Sequence, residues 1–478
     1  MDVSELAHRR LFDSLDKDRD GQIWAWELLS PLGRAGIQPG DPRIRSALTG
    51  LRDPDGRPLG IDSQPVQIDY QQFTQIADHS GGLVRRALEG KLAVSPSEFM
   101  DLTRGLERIH ADLLDDRRGA VADYIPTLRD ADPEKFGIAI CTADGQTFSI
   151  GDADLEFSVQ STSKPFSYAM ALEELGPQEV HEWVGQEQSG GTFNDRTLSL
   201  NAAGKPQNPM INAGAIGTLA LVDSGSEVSD RFATVQQTWT TMMGQRPGYD
   251  NATFLAERDT GHGNRGLASQ MANAGKLKGG LDGRDAPADT AEFYFMVCSL
   301  GVDAQRLAAA GATLANGGVA PYSGERVFSQ ETAGRVLSVM GHSGMYDGSG
   351  RFADDVGLPA KSGVSGNVLM VVPEKRLAVV TFSPRLDEAG NSVRGVVVCR
   401  RLVNEFGLHP YKGLGAERGR DSVQSDADRK AATAEAIRQA LGGTAAGGRV
   451  SVPQSASAQA ADNPGVRRSG KQAGGQQL

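Results

Sequence analysis

Only three cysteines, Cys141, Cys298 and Cys399, occur in 478 residues, and they are widely spaced. Their odd number and spacing exclude a disulfide framework and a cysteine-rich zinc site, and fit a reducing compartment. Positive charge is also scarce: 49 Lys and Arg stand against 60 Asp and Glu, giving a net charge of -11 and a pI near 5.3. That balance argues against nucleic acid as a partner. No apolar run approaches the ~18 residues of a membrane span. The opening MDVSELAHRR is acidic within its first five positions and has no apolar stretch behind it, unlike a secretory signal or transit peptide. The expectation is a soluble, cytoplasmic chain without a membrane partner. Among hydrolase signatures, neither a G-x-S-x-G elbow nor H-E-x-x-H is present.

What is present divides into three zones. Residues 1–105 read as short helical segments broken by Asp, Pro and Gly. From 106 the grammar changes: FGIAICTA, Asp144-Gly145 and QTFSIG predict a β-hairpin with a type I′ turn. GNVLMVVP and RLAVVTFSP predict a second strand pair around Glu374-Lys375, followed by a helix over 392–406. Strands at both ends with helices between predict an α+β domain, built on a mixed antiparallel sheet, over 106–412. Residues 413–478, rich in Ala, Gly, Ser and Gln, cannot build a core, although a short helix after Ser425 is plausible on its capping pattern; the rest reads as a disordered tail.

In the first zone, Asp16, Asp18, Asp20 and Glu27 occupy positions one, three, five and twelve of an EF-hand calcium loop, with Gln22 at seven. Gly21 falls at six, where the chain must turn sharply, and Ile23 at eight, where paired loops exchange strand hydrogen bonds. The pattern predicts calcium at 16–27. A partner loop around Asp53-Pro54-Asp55-Gly56, with Ile68 as the pairing residue, would put Gln72 at position twelve, so it reads as structural and metal-free.

In the central zone, Ser161-Thr162-Ser163-Lys164 opens a helix, and one turn separates the hydroxyl from the amine. A desolvated lysine, or one beside a second cation, is basic enough to take the serine proton yet neutral near physiological pH. Chance alone supplies roughly one S-x-x-K in a chain of this size. Lys361-Ser362-Gly363, just before the second strand pair, corroborates it: S-x-x-K early and K-[ST]-G late is the order of the serine β-lactamase and penicillin-binding group.

The stretches VADYIP, QSTSKPFSYAMA, NPMINAGAI, NATFLAERDTGHGN, FYFMVCS, GATLANGG, GMYDGSG and GLPAKSGVSGN together resemble the serine-dependent glutaminases, over about residues 106–410. The first zone resembles the EF-hand-like region that precedes the catalytic domain in animal-type members. This chain departs from them in having no ankyrin repeats and an intact first loop. The resemblance implies a β-lactamase and transpeptidase-like fold, with Ser161 as nucleophile, Lys164 as general base and Tyr346 as proton relay. It implies that the backbone N–H of Val364 joins that of Ser161 in an oxyanion hole. Tyr124, Gln160, Asn212, Glu257, Asn264 and Tyr294 match positions that hold glutamine. It also implies a homo-oligomer, and residues 190–205 resemble a mobile loop beside the active site.

The resulting expectation is hydrolysis of L-glutamine to L-glutamate and ammonia through a glutamyl ester, with no cofactor for catalysis. Two rivals stand beside it: a β-lactamase or D,D-peptidase on the same scaffold, and a calcium-binding scaffold with an inert catalytic domain.

Overall fold

The computed structural model describes residues 3–49, 66–189, 200–278 and 287–412. The candidate partner loop at 53–56, most of the loop at 190–205, and the tail with its helix after Ser425 lie outside these residues.

The catalytic region is organised by one five-stranded sheet. Its order is Thr147–Gly151, Gly137–Thr142, Leu377–Phe382, Asn367–Val372 and Ala360–Gly363, so strands from the two ends of the domain meet in the middle. All four pairings are antiparallel, and the sheet with its covering helices gives the α+β architecture expected from the sequence. The central strands are apolar on both faces because side chains alternate sides along a strand. Ile138, Ile140, Val368, Met370 and Val379 pack into one core, while Ala139, Cys141, Leu369, Ala378 and Val380 pack into the other. Helices Pro96–Leu113 and Val393–Glu405 cover the first face. On the second lies Ala304–Ala315, a helix of mostly small residues. At Gly311 an added Cβ would come within 2.4 Å of Leu369 Cδ1, so glycine lets this helix sit directly on the sheet.

The first hairpin forms where predicted, but its turn differs. Among 142–146 only Gly145 takes a positive φ, 79°, and its N–H donates to the Thr142 carbonyl. A type I′ turn needs positive φ at both central residues, so this is instead a type I pattern closed by a left-handed glycine.

The N-terminal module is helical apart from a ribbon in which Ile23 pairs with Ile68, as the loop spacing predicts. Pro31 does not end the helix leaving the calcium loop, which runs Ala25–Arg34. Helix Pro96–Leu113 crosses residue 105, and its Phe99, Leu102, Leu106 and Ile109 lie in the sheet core.

The module grips the first hairpin. The Gly36 carbonyl accepts from Thr147 N (2.8 Å), the Ala35 carbonyl from Gln146 Nε2 (2.8 Å), and Gln38 Nε2 donates to the Thr147 carbonyl (3.2 Å). The Asp144 carboxylate accepts from Arg86 (3.2 Å) and from Ala93 N (2.6 Å). These contacts cover the Thr147–Gly151 edge, which would otherwise offer unpaired backbone groups. Gly36 has φ 83°, and a Cβ there would stand 2.4 Å from the Phe99 ring. Gly36→Ala should therefore destabilise the protein by about 1–3 kcal/mol; an unchanged melting temperature would show that this contact does not hold the module.

Candidate active site

Ser161 lies in a short 3-10 turn, Gln160–Ser163, that leads directly into helix Lys164–Trp183. The helix is interrupted at Gly176 (φ 76°). Gln160 and Tyr346 both adopt left-handed φ, 47° and 49°, a conformation costly for non-glycine residues and found preferentially at functional sites. The turn is anchored to the far edge of the sheet. Ser365 Oγ donates to the Ser158 carbonyl (2.7 Å), and Asn367 Nδ2 donates to the Val159 carbonyl (3.4 Å) and Ser365 Oγ (3.1 Å). Gly363 permits this approach, since a Cβ there would meet Asn367 Oδ1 at 2.0 Å.

Behind Ser161 are two buried lysines. Lys164 is 1% exposed and Lys361 is fully buried. Burial lowers the Lys164 amine to about 8, although Cys298 and Glu257 act in the opposite sense. Burial, then the neighbouring charge of Lys164, holds Lys361 well below the ordinary lysine range. Lys361 Nζ donates to the Ser362 carbonyl (2.7 Å) and stands 4.3 Å over the Tyr346 ring. Burial raises the Tyr346 phenol, with the nearby Ser161 hydroxyl acting in the opposite sense. The recorded acceptor for Lys164 is Asn212 Oδ1, at 2.6 Å, rather than Ser161.

In front of Ser161 opens a cavity of about 810 Å³, lined by Tyr124, Gln160, Asn212, Glu257, Asn264, Tyr294 and Val364 among others. All the glutamine-holding positions named from the sequence thus share one wall system with Ser161. Glu257, on helix Asn251–Thr260, is buried. Its Oε1 accepts from the Tyr124 hydroxyl (2.7 Å) and from Gln160 Nε2 (3.2 Å). Burial raises its pKa, while those two bonds and Lys164 favour its charge. Asn212 Nδ2 donates to Asn264 Oδ1 (3.1 Å), and the Tyr294 hydroxyl donates to Asn212 Oδ1 (3.2 Å). One anionic acceptor, close to neutral amide and phenol donors, suits a zwitterionic amino acid.

The chain matches the Glutaminase family profile over residues 119–411, and an EF-hand domain profile over residues 7–95. The chain belongs to the glutaminase family. A glutaminase of Microcystis aeruginosa is 41% identical over 313 residues, covering 66% of this chain and 90% of its own. The liver isoform of mouse mitochondrial glutaminase is 37% identical over 384 residues, 80% of this chain. This chain spans 62% of that mouse protein. The solved structure of Mglu in its glutamate form superposes with a TM-score of 0.60 at 40% identity, covering 64% of this chain and 68% of that one. The catalytic domain therefore has the β-lactamase-like fold of glutaminases, and the enzyme class is that of an amidohydrolase.

Two parts of this glutaminase site escaped the sequence. Cys298 lines the cavity, its thiol pushed up to about 12 by burial. A lone cysteine in the apolar run FYFMVCS carries no signal of such a place. The segment 386–390 also lines the cavity, held by mutual backbone hydrogen bonds between Ala120 and Leu386. Those residues are far apart in sequence, so only the fold brings them together. Tyr124→Phe removes a hydrogen bond to Glu257 and should raise KM for glutamine roughly tenfold with little change in kcat; an unaltered KM would remove Tyr124 from the binding set.

Proposed function

We propose that this enzyme hydrolyses the side-chain amide of L-glutamine by a Ser161–Lys164 acyl-enzyme mechanism. The observation that carries the reading is the placement of Ser161 between two desolvated lysines and a cavity whose buried carboxylate is Glu257. Glu257 receives the substrate ammonium, and Asn212, Asn264 and Tyr294 supply neutral donors for its carboxylate. Lys164, neutral once deprotonated, takes the Ser161 proton directly or through Tyr346. The serine oxygen attacks the carboxamide carbon. The N–H groups of Ser161 and Val364 would face the oxyanion, and preorganised donors of this kind are worth several kcal/mol in a dry site. On collapse the amide nitrogen takes back the proton that Lys164 accepted from Ser161 and leaves as ammonia, giving a glutamyl ester. Water then attacks the ester under the same base and releases glutamate.

The signs of these shifts predict the pH profile. Activity requires neutral Lys164, so kcat/KM should rise with pH through about 8 and fall away below it. Ser161→Ala should abolish acyl-enzyme formation, and Lys164→Ala should fold normally yet lose roughly a hundred-fold or more in kcat. Near-normal activity in Ser161→Ala would refute the nucleophile.

We further propose that 16–27 binds calcium. Carboxylate oxygens of Asp16, Asp18 and Asp20 lie within 4.8 Å of one another. Asp16 is 7% exposed, and no partner is recorded for its buried Oδ1, the state expected of a ligand oxygen. Glu27 Oε2 accepts from Trp24 N (2.9 Å), which holds the twelfth-position carboxylate at the loop. With Gln22 contributing its backbone carbonyl, the donor set is hard oxygen throughout, as calcium prefers. Calorimetric titration of chelator-treated protein should show one saturable site that Glu27→Gln weakens; no binding up to millimolar calcium would reduce the loop to an acidic turn.

The division of the chain is part of the same reading: an EF-hand-like module over 1–105, a catalytic domain over 106–412 and a tail over 413–478. The homo-oligomer remains an expectation from the family, and three buried free thiols support the cytoplasmic assignment.

A further inference from the structure

Asn212 occupies the first position of helix Asn212–Leu221, behind a tight approach in which a Cβ on Gly214 would lie 1.8 Å from the Asn208 carbonyl oxygen. Asn208 is itself fixed, its Oδ1 accepting from Met210 N (3.0 Å) and its Nδ2 donating to the Glu187 carbonyl (2.7 Å). The Asn212 side chain therefore leaves a rigid backbone. Its amide is a junction. Lys164 Nζ donates to the oxygen end, at 2.6 Å, a contact open to the ammonium and to the neutral amine alike, because both keep N–H donors. The Tyr294 hydroxyl takes the second lone pair of that oxygen, at 3.2 Å. At the other end one Nδ2 hydrogen goes to Asn264 Oδ1, and Asn212 lines the cavity with the remainder.

We propose that Asn212 is a positioning residue for the general base: its amide oxygen holds the Lys164 amine in place through a neutral contact while its amide nitrogen reads the substrate. The identity of the residue matters as much as its place. A carboxylate here would form a buried ion pair with Lys164 and hold it as an ammonium, unable to accept the Ser161 proton. A neutral oxygen orients the amine and leaves burial free to favour the deprotonated form. The other groups around Lys164 do not replace this function. Glu257 and Cys298 act on it through charge, the Tyr294 ring centre is 5.9 Å from Nζ, and Lys361 is a like charge under the Tyr346 ring. Among the described residues, Asn212 is the recorded hydrogen-bond acceptor of the amine. When glutamine engages the Asn212 nitrogen and the Tyr294 hydroxyl, the amide oxygen loses a competing donor, so arrival of substrate and placement of the base are linked through one side chain.

This inference rests on the Ser161–Lys164 reading, and the test separates the two. The pH dependence of kcat and kcat/KM for glutamine hydrolysis is measured in Asn212→Asp, Asn212→Ser and Lys164→Ala, with folding checked by thermal melting. Aspartate keeps the size and the acceptor but adds a charge beside the amine. Its acid limb should move to higher pH by about 1–3 units, the usual effect of an adjacent opposite charge. Serine stays neutral but cannot reach Lys164, and should lose at least about tenfold in kcat, the scale of a misplaced catalytic group. An Asn212→Asp enzyme with raised KM and an unmoved acid limb would make Asn212 a substrate contact alone. So would an Asn212→Ser enzyme with raised KM and normal kcat, which also decides the matter should the aspartate variant fail to fold. Retained activity in Lys164→Ala would instead overturn the base assignment itself.

Discussion

Desolvation of Lys164 is the constraint on which this site depends. Lysine in water is almost wholly ammonium at neutral pH and has no lone pair with which to take the serine proton; burial shifts the balance toward the free amine. Burying the amine is tolerable only where protein acceptors replace the water it loses. The structure supplies them: Asn212 receives the Lys164 amine, and the Ser362 carbonyl receives that of Lys361. The tie from Ser365 and Asn367 to the 158–159 backbone then holds the K-S-G edge against the serine turn. A looser edge would admit water and raise both lysines toward their ordinary range.

Much of this arrangement was legible in the sequence because motif spacing and fold make the same demand. S-x-x-K places two groups one helical turn apart, and K-S-G precedes a strand pair that the alternating pattern also predicts. The EF-hand positions were legible for a similar reason, since each loop position has a chemical requirement. The illegible parts are those set by tertiary contact alone. Nothing in NPMINAGAI announces that Asn212 faces the base as well as the substrate, nor does FYFMVCS announce Cys298. The hairpin was found but its turn was misread, because Asp-Gly serves both type I′ turns and type I turns closed by a left-handed glycine.

Sheet order also constrains what the N-terminal module can do. It covers the Thr147–Gly151 edge, whereas the K-S-G strand Ala360–Gly363 forms the opposite edge beside the serine turn. Three strands lie between them. The helix leaving the calcium loop, Ala25–Arg34, leads within a few residues to the carbonyls of Ala35 and Gly36 that bind the hairpin. A metal that stiffens this loop therefore acts first on the covered edge and on the stability of the sheet. Any effect on catalysis must pass through the whole sheet, which makes a brace a better physical description of the module than a catalytic effector.

The cavity itself argues against the rival chemistries on the same scaffold. A β-lactamase or peptidase presents an open groove to a substrate whose backbone continues in both directions, so a buried carboxylate at one end of the site would stand against it. Here Glu257 is 6% exposed, and Tyr124 and Gln160 both donate to the same oxygen. Burial raises the cost of leaving that charge unpaired, and a ligand ammonium offsets it better than a neutral peptide N–H. On the proposed reading a free α-amino group is therefore part of what the pocket selects. Lys164 is 1% exposed before any ligand arrives, so the packing around the serine turn, and not the substrate, is what desolvates the base.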